Sequence, residues 1–335
     1  MVTGESYRKY LSGIDIGEGI VIVSHDKICY FTDGRYIEAA EKAAHGTNLT
    51  IKLYTSLLDV KIYLKEEGLK KLGIVYDEVT LSEYKNYKSL KVRLFDASDI
   101  LKSLRSVKTE NEISNIKKAC EITEKAFYKT IKKLKVGVTE TEIKTLLENE
   151  YFAMGADGLA FDTIVAFGKN SAVPHHVSGS TKLKENDVVL VDTGCRYNGY
   201  CSDYTRTLIF GEPTEEFISA YNAVKDTNEL SEEFIKLNVK ASDADGFARE
   251  NLSELGYEEY FTHSLGHGLG LEIHESPYLS KRDSTPLKEN MVFTVEPGVY
   301  FKGKFGIRIE DTVIIQNGKV KRLFSDKKEL LKIKI

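Results

Sequence analysis

Short apolar runs alternate with helix-like stretches over the first hundred residues. The apolar runs are GIVIVS at 19–24, KICYFTDGRYI at 27–37, LTIKLY at 49–54, KKLGIVYDEV at 70–79 and VRLFDA at 92–97. Segments 34–45 and 56–68 are predicted to form helices. This alternation indicates a small α/β domain.

The pattern changes at the segment SLRSVKTENEISNIKK, which runs from Ser103 to Lys118. Thr109 is a predicted N-cap, and Glu112 three residues later completes a capping box, so a long amphipathic helix should extend to about Lys135. A turn at Gly137 and a second capped helix from Thr139 follow the same logic. We therefore predict a domain boundary near residue 105, with domains 1–105 and 106–335.

Strand patterns dominate after residue 158. The predicted strands are FDTIVAFG at 161–168, a hairpin over 187–211, MVFTVEPGVY at 291–300 and FGIRIEDTVIIQNGKV at 305–320. The hairpin is indicated by Asn198-Gly199, a turn dipeptide between two β-like runs. Helices are predicted over 214–237 and 243–255.

Length and charge narrow the class of protein. A chain of 335 residues exceeds the size at which one hydrophobic core usually stops growing, so two domains are expected. The net charge of -4 gives no positive field that would attract nucleic acid or an anionic membrane. No apolar run approaches the roughly 18 residues of a membrane span, and the first residues contain no signal-peptide core. We expect a cytoplasmic protein.

The four cysteines, Cys29, Cys120, Cys195 and Cys201, are too few for a disulfide scaffold in a chain of this length. None of their spacings is CxxC. A zinc-thiolate site at Cys195 and Cys201 is disfavoured, because no second thiol pair would complete a tetrahedral set. We interpret them as reduced thiols.

Two aspartates stand on the arms of the predicted hairpin, Asp192 in VLVDTG and Asp203 in YCSDYTRT. If the arms pair, both carboxylates can face one interior. An acidic side chain inside an apolar strand is costly unless it is paired or binds a cation. The alternative is that both aspartates face solvent on an edge hairpin.

A histidine cluster occurs in THSLGHGLGLEIHE, where His263, His267 and His274 lie among glycines that allow close backbone approach. A single histidine is usually structural, but such a cluster favours metal ligation or proton transfer. A phosphate-binding glycine loop is disfavoured, because GHGLG at 266–270 does not match GxGxxG.

Two further acids, Glu296 and Glu310, interrupt apolar β-like runs near the end of the chain. Two such positions could be edge-strand charges, whereas four beside a histidine cluster indicate a functional cavity. An oxygen-rich set suits two Mn²⁺, Co²⁺ or Fe²⁺ ions better than a structural zinc. Two ions about 3.5–4 Å apart can share carboxylates and hold a bridging water. The residues therefore predict a metal-dependent hydrolase.

These residues occur in the contexts VDTG, SDYTRT, GHGLGLEIHE, VEPG and IRIEDT. Their order resembles the pita-bread metallopeptidases, namely prolidase, aminopeptidase P and methionine aminopeptidase, with creatinase as a metal-free relative. SVKTENEI resembles the start of that catalytic domain, and YFTDGRYIEAA resembles the creatinase-type N-terminal domain. The implied fold is α+β, with a C-terminal pita-bread domain and a smaller N-terminal α/β creatinase-like domain.

The resemblance also implies roles for individual residues. The implied metal ligands, in which Asp192 binds one ion, His267 and Glu296 the other, and two acids bridge both, are Asp192, Asp203, His267, Glu296 and Glu310. A hydroxide between the ions would be the nucleophile, and Glu296 would also act as general acid/base. The ions would be Mn²⁺ or Co²⁺, with Fe²⁺ or Zn²⁺ as alternatives. His267 is preferred to His263 as the ligand because GHG is the family context.

Four more residues match positions that support catalysis in the family. His175 in VPHH, His263 and His274 would contact substrate or stabilise the developing oxyanion. His175 is chosen over the adjacent His176 because its spacing to Asp192 fits the family better. Arg308 would orient the acidic ligands.

The resemblance favours a prolidase, which cleaves dipeptides before proline, with aminopeptidase P as the alternative. Some archaeal-type prolidases carry an arginine where this chain has Tyr278, and Lys281 and Arg282 lie just beyond it. That departure weakens the strict dipeptidase interpretation. A non-catalytic peptide-binding module is disfavoured because all five ligand positions are filled.

The implied partners are a short proline-containing peptide and a second copy of the chain in a homodimer, with no nucleic acid and no membrane. The run YLSGID begins at Tyr10, earlier than is usual in the family. Two interpretations follow: the N-terminal domain is shorter than in the family, or the start codon lies upstream.

Overall fold

The computed structural model describes residues 1–334 and divides the chain into two compact units. The first unit is Met1–Arg105, and the second begins at Ser106. All four cysteines are free and buried. Within residues 1–334, no helix is long and apolar enough to cross a membrane.

The first unit alternates short strands and helices. Its elements are α1 (Glu5–Ser12), β1 (Ile20–Val23), β2 (Ile28–Thr32), α2 (Ile37–Ala44), β3 (Leu49–Leu53), α3 (Leu57–Glu66), β4 (Lys71–Ile74), α4 (Leu81–Tyr87), β5 (Arg93–Asp96) and α5 (Ser98–Ser106). Strand β2 pairs antiparallel with β1 and parallel with β3, while β4 and β5 form a separate parallel pair. The sequence pattern predicted the strands, but it missed helices α1, α4 and α5.

The helix predicted over 34–45 begins three residues late, at Ile37. The backbone N–H groups of Tyr36 and Ile37 both donate to the Asp33 carbonyl, which makes residues 33–36 a turn. The Asp33 carboxylate also accepts hydrogen bonds from the backbone and side chain of Arg35. Local side-chain bonds of this kind compete with helix formation.

The second unit packs four helices against several sheets, which are antiparallel except where β19 pairs parallel with β11. The helices are α6 (Glu110–Thr130), α7 (Glu140–Ala153), α8 (Glu215–Phe234) and α9 (Ala241–Glu254). The strands are β6 (Gly158–Leu159), β7 (Ile164–Phe167), β8 (Asp187–Thr193), β9 (Cys195–Tyr197), β10 (Tyr200–Cys201), β11 (Tyr204–Phe210), β12 (Gly266–Gly268), β13 (Glu275–Leu279), β14 (Val292–Val295), β15 (Gly298–Phe301), β16 (Phe305–Arg308), β17 (Asp311–Gln316), β18 (Lys319–Arg322) and β19 (Lys332–Ile333).

Both predicted capping boxes are present. The side chain of Thr109 caps α6 with Glu112 as its partner, and Thr139 caps α7 with Glu142 in the same way. Each pair satisfies backbone donors that the first helical turn leaves open. Helix α6 ends at Thr130 rather than near Lys135, because the chain tightens there into a 3-10 turn over Ile131–Lys133.

The hairpin prediction is confirmed. Strands β8 and β11 pair antiparallel, with Thr205 opposite Asp192. Asn198 and Gly199 both have positive φ, 50° and 79°, which is the geometry that a type I′ turn requires. The tip of the hairpin, β9 and β10, forms a separate small sheet with β6, so the long hairpin changes sheets near its acids.

The two late strand predictions are each interrupted at their acid. The segment predicted as one strand over 291–300 divides into β14 and β15, with Glu296 and Pro297 between them. The segment over 305–320 divides into β16, β17 and the start of β18, with Ile309 and Glu310 between the first two. Breaks in both ladders let the acids turn toward the space beside the five-stranded sheet β13-β12-β14-β17-β18.

Gly266→Ala is predicted to destabilise the second unit, because β12 lies so close to β14 that a Cβ at Gly266 would overlap the Thr294 carbonyl. We expect a loss of about 1–3 kcal/mol, the usual cost of overpacking, measured by urea unfolding of the metal-free protein. Gly246→Ala is the control. It lies inside α9, where an added Cβ meets nothing, so it should stabilise by roughly 0.5–1 kcal/mol. Equal effects would contradict this account of the β12–β14 contact.

Candidate metal centre

The acids and histidines identified in the sequence line one cleft in the second unit. Its lining combines ionisable side chains with apolar ones. The lining residues are Phe161, Asp162, Ile164, Pro174, His175, His176, Val177, Asp192, Asp203, His263, Ser264, Gly266, His267, Ile273, His274, Tyr278, Glu296, Arg308 and Glu310. Side chains from β8, β12 and β16, and from the breaks beside β14 and β17, thus converge on one space.

Three of these residues form a compact cluster at the floor. Asp203, His267 and Glu310 each place one ligand-type atom within 4.8 Å of the others. Glu296 adjoins them, because its Oε1 lies 3.4 Å from His267 Nε2, and Asp203 Oδ2 lies 3.5 Å from the same nitrogen. Asp203 and Glu310 are buried, while His267 and Glu296 are partly buried.

The His267 ring is oriented by the backbone carbonyl of the next residue, Gly268. Its Nδ1 lies 3.2 Å from the Gly268 carbonyl, which makes Nδ1–H the donor and assigns the lone pair to Nε2. Burial lowers the pKa of His267 to about 3, so the ring is neutral near pH 7. Metal-binding histidines use this arrangement, in which one nitrogen donates to a carbonyl and the other faces the ion.

Arg308 is the guanidinium at the floor of the cleft. Its Nη2 donates to Asp192 Oδ2 at 2.5 Å, Nη1 donates to the Tyr300 hydroxyl at 2.7 Å, and Nε donates to Thr205 Oγ1 at 3.2 Å. The other oxygen of Asp192, Oδ1, is buried and has no hydrogen-bond partner within residues 1–334. A buried carboxylate oxygen without a donor is available to a cation.

Burial, and then the negative charge of neighbouring carboxylates, disfavours the charged form of three of these acids. Burial first, and then the charge of Glu310, raise the pKa of Asp203 well above its usual range. Burial and the charge of Glu296 do the same to Glu310. Burial raises the pKa of Glu296 to about 8, although Arg308 opposes the shift. Without a cation, these acids are therefore accommodated at the floor of the cleft in their protonated, neutral form.

These observations fit a pair of divalent cations. Carboxylate oxygens and one imidazole are the donors that Mn²⁺, Co²⁺ and Fe²⁺ accept. The lone pair of His267 Nε2, the unpartnered Asp192 Oδ1 and the proton-retaining carboxylates all meet in one space. Asp203, His267 and Glu310 form the group that could hold an ion. Glu296 adjoins this group through His267, and Asp192 lies in the same cleft with its ion pair to Arg308.

The four remaining histidines of this region have different surroundings. His263 Nδ1 lies 2.9 Å from the Ser264 carbonyl and Nε2 lies 2.9 Å from the Tyr300 hydroxyl. Burial lowers its pKa to about 3, so Nε2 accepts from that hydroxyl. His274 stacks edge-on against His267, with 4.3 Å between ring centroids. His175 and His274 are exposed at the cleft, and His176 Nε2 lies 2.9 Å from Glu140 Oε2.

Several residues that shape the floor escaped the sequence analysis. The Thr205 hydroxyl donates to Glu310 Oε2 at 2.6 Å. The Thr294 hydroxyl lies 3.3 Å from Glu296 Oε1 and accepts from the His267 N–H at 3.1 Å. Tyr300 bridges His263 and Arg308. Each occupies an ordinary strand position, so only the alternation of β11, β14 and β15 could have indicated which face it occupies.

Comparison with known proteins gives matches along nearly the whole chain. Residues 114–317 match metallopeptidase family M24, and residues 1–107 match the creatinase/prolidase N-terminal domain. The Xaa-Pro dipeptidase of Pyrococcus furiosus is 37% identical over 326 residues, which cover 96% of this chain and 92% of that protein.

Two solved structures are similar along nearly the entire chain. An Xaa-Pro dipeptidase from Bacillus anthracis has a TM-score of 0.94 at 37% identity, covering 99% of this chain and 94% of that one. An X-Pro aminopeptidase from Thermotoga maritima MSB8 has a TM-score of 0.91 at 36% identity, covering 98% of this chain and 94% of that one.

The fold and these similarities define a peptidase with a pita-bread catalytic region and a creatinase-type N-terminal region, so the predicted fold class is confirmed. The chain belongs to metallopeptidase family M24. Membership implies divalent metal ions, and the cluster at the floor of the cleft provides a place for them.

Metal ions should stabilise the protein more at pH 8 than at pH 6.5. Asp203, Glu296 and Glu310 have folded-state pKa values above their unfolded values, so the metal-free fold loses stability as pH rises through this window. His263 and His267 have lowered pKa values and change stability only between about pH 3 and 6.5. Bound cations replace the protons and remove the penalty.

The measurement is the rise in Tm that saturating Mn²⁺ gives the metal-free protein at each pH. Groups far from the cleft cancel in this difference. A rise that is equal at the two values of pH, or smaller at pH 8, would contradict the assignment of the raised pKa values to the metal centre.

Proposed function

We propose that this chain is an Xaa-Pro dipeptidase that hydrolyses the peptide bond before proline with two divalent ions held in the cleft. The observation that supports it most is the convergence of four carboxylates and His267 on one floor with a single guanidinium. The dipeptidases from Pyrococcus furiosus and Bacillus anthracis, each 37% identical, favour the same substrate class.

The residues that would hold the ions are Asp192, Asp203, His267, Glu296 and Glu310. When bound, the ions supply an activated water and polarise the scissile carbonyl. Thr205, through its hydrogen bond, holds the Glu310 carboxylate in place. Arg308 holds Asp192 and keeps one of its oxygens directed away from the guanidinium.

Glu296 is the proposed general acid/base. Its Oε1 lies 3.4 Å from His267 Nε2 at the floor of the cleft, where the carboxylate could accept a proton from water and deliver it to the leaving nitrogen. The Thr294 hydroxyl, 3.3 Å from Glu296 Oε1, holds this carboxyl group toward His267. His175 and His274 at the cleft mouth would contact substrate, and His263 would act through Tyr300.

Aminopeptidase P activity is the second candidate, and the cleft mouth gives a reason to keep it. A dipeptidase must recognise the free carboxylate of its substrate, commonly with a cation. Tyr278, 44% exposed, lies at the cleft where some prolidases carry arginine. Lys281 and Arg282 are absent from the described lining, and Arg308 is already engaged.

Further features of the enzyme belong to the same proposal. The N-terminal domain would comprise residues 1–105 and the catalytic domain residues 106–335. Mn²⁺ or Co²⁺ are the preferred ions, because the ligand set is rich in oxygen. The homodimer and the cytoplasmic location stay predictions.

Removal of divalent metal should abolish peptidase activity, and Mn²⁺ or Co²⁺ should restore it. The substrates are an Xaa-Pro dipeptide, an Xaa-Pro tripeptide and a Met-Ala peptide, with kcat/KM measured for each. Restored cleavage of the dipeptide alone supports the dipeptidase. A preference for the tripeptide supports aminopeptidase P. If neither Mn²⁺ nor Co²⁺ restores cleavage of any of the three peptides, the proposal is refuted.

Glu296→Gln should lower kcat by about 10²–10⁴-fold, the usual contribution of general acid–base catalysis, while the fold stays intact by circular dichroism. Glu250→Gln is the matched control, since Glu250 is exposed on α9 and outside the cleft lining. Metal content is measured for both variants. Turnover of Glu296→Gln within a few-fold of wild type would eliminate the proposed role.

A further inference from the structure

One buried side chain joins the two chain segments that carry Glu296 and Glu310. Asn228 lies on α8, fully buried, and its Nδ2 donates to the Val295 carbonyl at 2.8 Å and to the Ile309 carbonyl at 3.0 Å. Val295 directly precedes Glu296, and Ile309 directly precedes Glu310. The same amide nitrogen therefore contacts the peptide group in front of each acid.

The orientation of this amide is set by a second buried side chain. The side chain of Lys328 is 2% exposed, and its Nζ donates to Asn228 Oδ1. Because an ammonium group can only donate, the amide oxygen must face Lys328 and the NH₂ group must face the two carbonyls. Both amide protons are thus used, one for each segment.

Lys328 itself is fixed by two acids. Its Nζ lies 2.8 Å from Glu232 Oε2 and 2.9 Å from Asp311 Oδ2. Asp311 also pairs with Arg206, whose Nη1 donates to the Glu310 carbonyl. A buried ammonium is tolerated when opposite charges surround it. Lys328 and the two acids therefore hold the Asn228 amide, although none of these residues is part of the described cleft lining.

These contacts lie where regular strand pairing stops. Strand β14 ends at Val295 and β16 ends at Arg308, so the residues that follow them depend on individual hydrogen bonds. Glu296 N–H donates to the Leu265 carbonyl at 2.8 Å, and Glu310 N–H donates to the Thr205 carbonyl at 3.1 Å. Each of these bonds ties one segment to a neighbouring part of the chain. The two segments are also tied to each other by the β14–β17 and β15–β16 pairings on either side of the breaks, and by the Ile309 N–H, which donates to the Pro297 carbonyl at 3.4 Å. The Asn228 amide adds a side-chain tie at the two carbonyls that directly precede the acids.

We propose that Asn228, oriented by Lys328, is a positioning residue that sets the separation of the Glu296 and Glu310 carboxylates in the metal centre. This inference rests on the proposed ligand set. Functional groups must be held within about 0.5 Å of their working positions. Residues behind the ligands commonly change metal affinity by about 10–100-fold when they are replaced.

Asn228→Asp is the direct test. The substitution keeps the shape and the oxygen that faces Lys328, but it replaces the donating NH₂ with an oxygen that faces two carbonyls. We expect Mn²⁺ to bind the metal-free variant about 10–100-fold more weakly than wild type. Affinity is measured by competition with a chelating dye, well below the Tm of each protein.

Thr227→Val is the matched control. Thr227 neighbours Asn228 on α8, is buried to the same degree, and has a hydroxyl without a hydrogen-bond partner within residues 1–334. Its isosteric replacement should leave Mn²⁺ affinity within about twofold of wild type, because no contact to either carboxylate segment is lost. Equal weakening in both variants would mean general loosening of α8 and would overturn the positioning role.

A spectroscopic readout separates positioning from stability. Two Mn²⁺ ions about 3.5–4 Å apart give an exchange-coupled EPR spectrum, and Asn228→Asp should lose part of that signal even at saturating Mn²⁺. Wild-type affinity together with a wild-type EPR spectrum in the folded variant would overturn the proposal.

If Asn228→Asp does not fold, Asn228→Ser replaces it in the same assays. Serine offers one donor in place of two, so an intermediate loss of affinity is expected, and wild-type affinity would overturn the proposal. Absence of Mn²⁺ binding in the wild-type protein would instead refute the ligand set.

Discussion

The concentration of buried carboxylates in one cleft is the constraint on which the rest of this structure depends. Asp192, Asp203, Glu296 and Glu310 share a floor whose lining includes one guanidinium, that of Arg308. Two like charges 4 Å apart repel by about 4 kcal/mol at an effective dielectric constant near 20. The floor therefore needs either protons or cations, and the raised pKa values of three of these acids are the metal-free solution.

Two of these acids, Glu296 and Glu310, lie at breaks between strands. Residues inside a strand ladder alternate strictly between faces, which limits where a carboxylate can point. The breaks at Glu296 and Glu310 release both residues from that alternation. Hydroxyls of Thr205 and Thr294 then hold the carboxylates, and the Asn228 amide holds the preceding peptide groups. The strand breaks and the side chains that hold the neighbouring backbone therefore act together to position the acids.

Much of the cleft was accessible from the sequence because burying an acid in an apolar strand violates a strong local rule. Asp192 and Glu310 were identified in this way, and the Asn198-Gly199 dipeptide located the hairpin. The strand breaks were not accessible, since the runs around Glu296 and Glu310 have unbroken β-like patterns. The role of Asn228 could not be predicted either, because a polar residue on an amphipathic helix usually faces solvent. Its hydrogen-bond partners also lie more than sixty residues away in the sequence. The short helix α4 was missed because its seven residues span only about two turns.

Anomalous scattering from crystals loaded with Mn²⁺ tests the central claim most directly. The account predicts two anomalous peaks in the cleft, each within coordination distance of the acids, with one also beside His267 Nε2. A cleft without anomalous peaks, or two ions bound elsewhere on the chain, would contradict it.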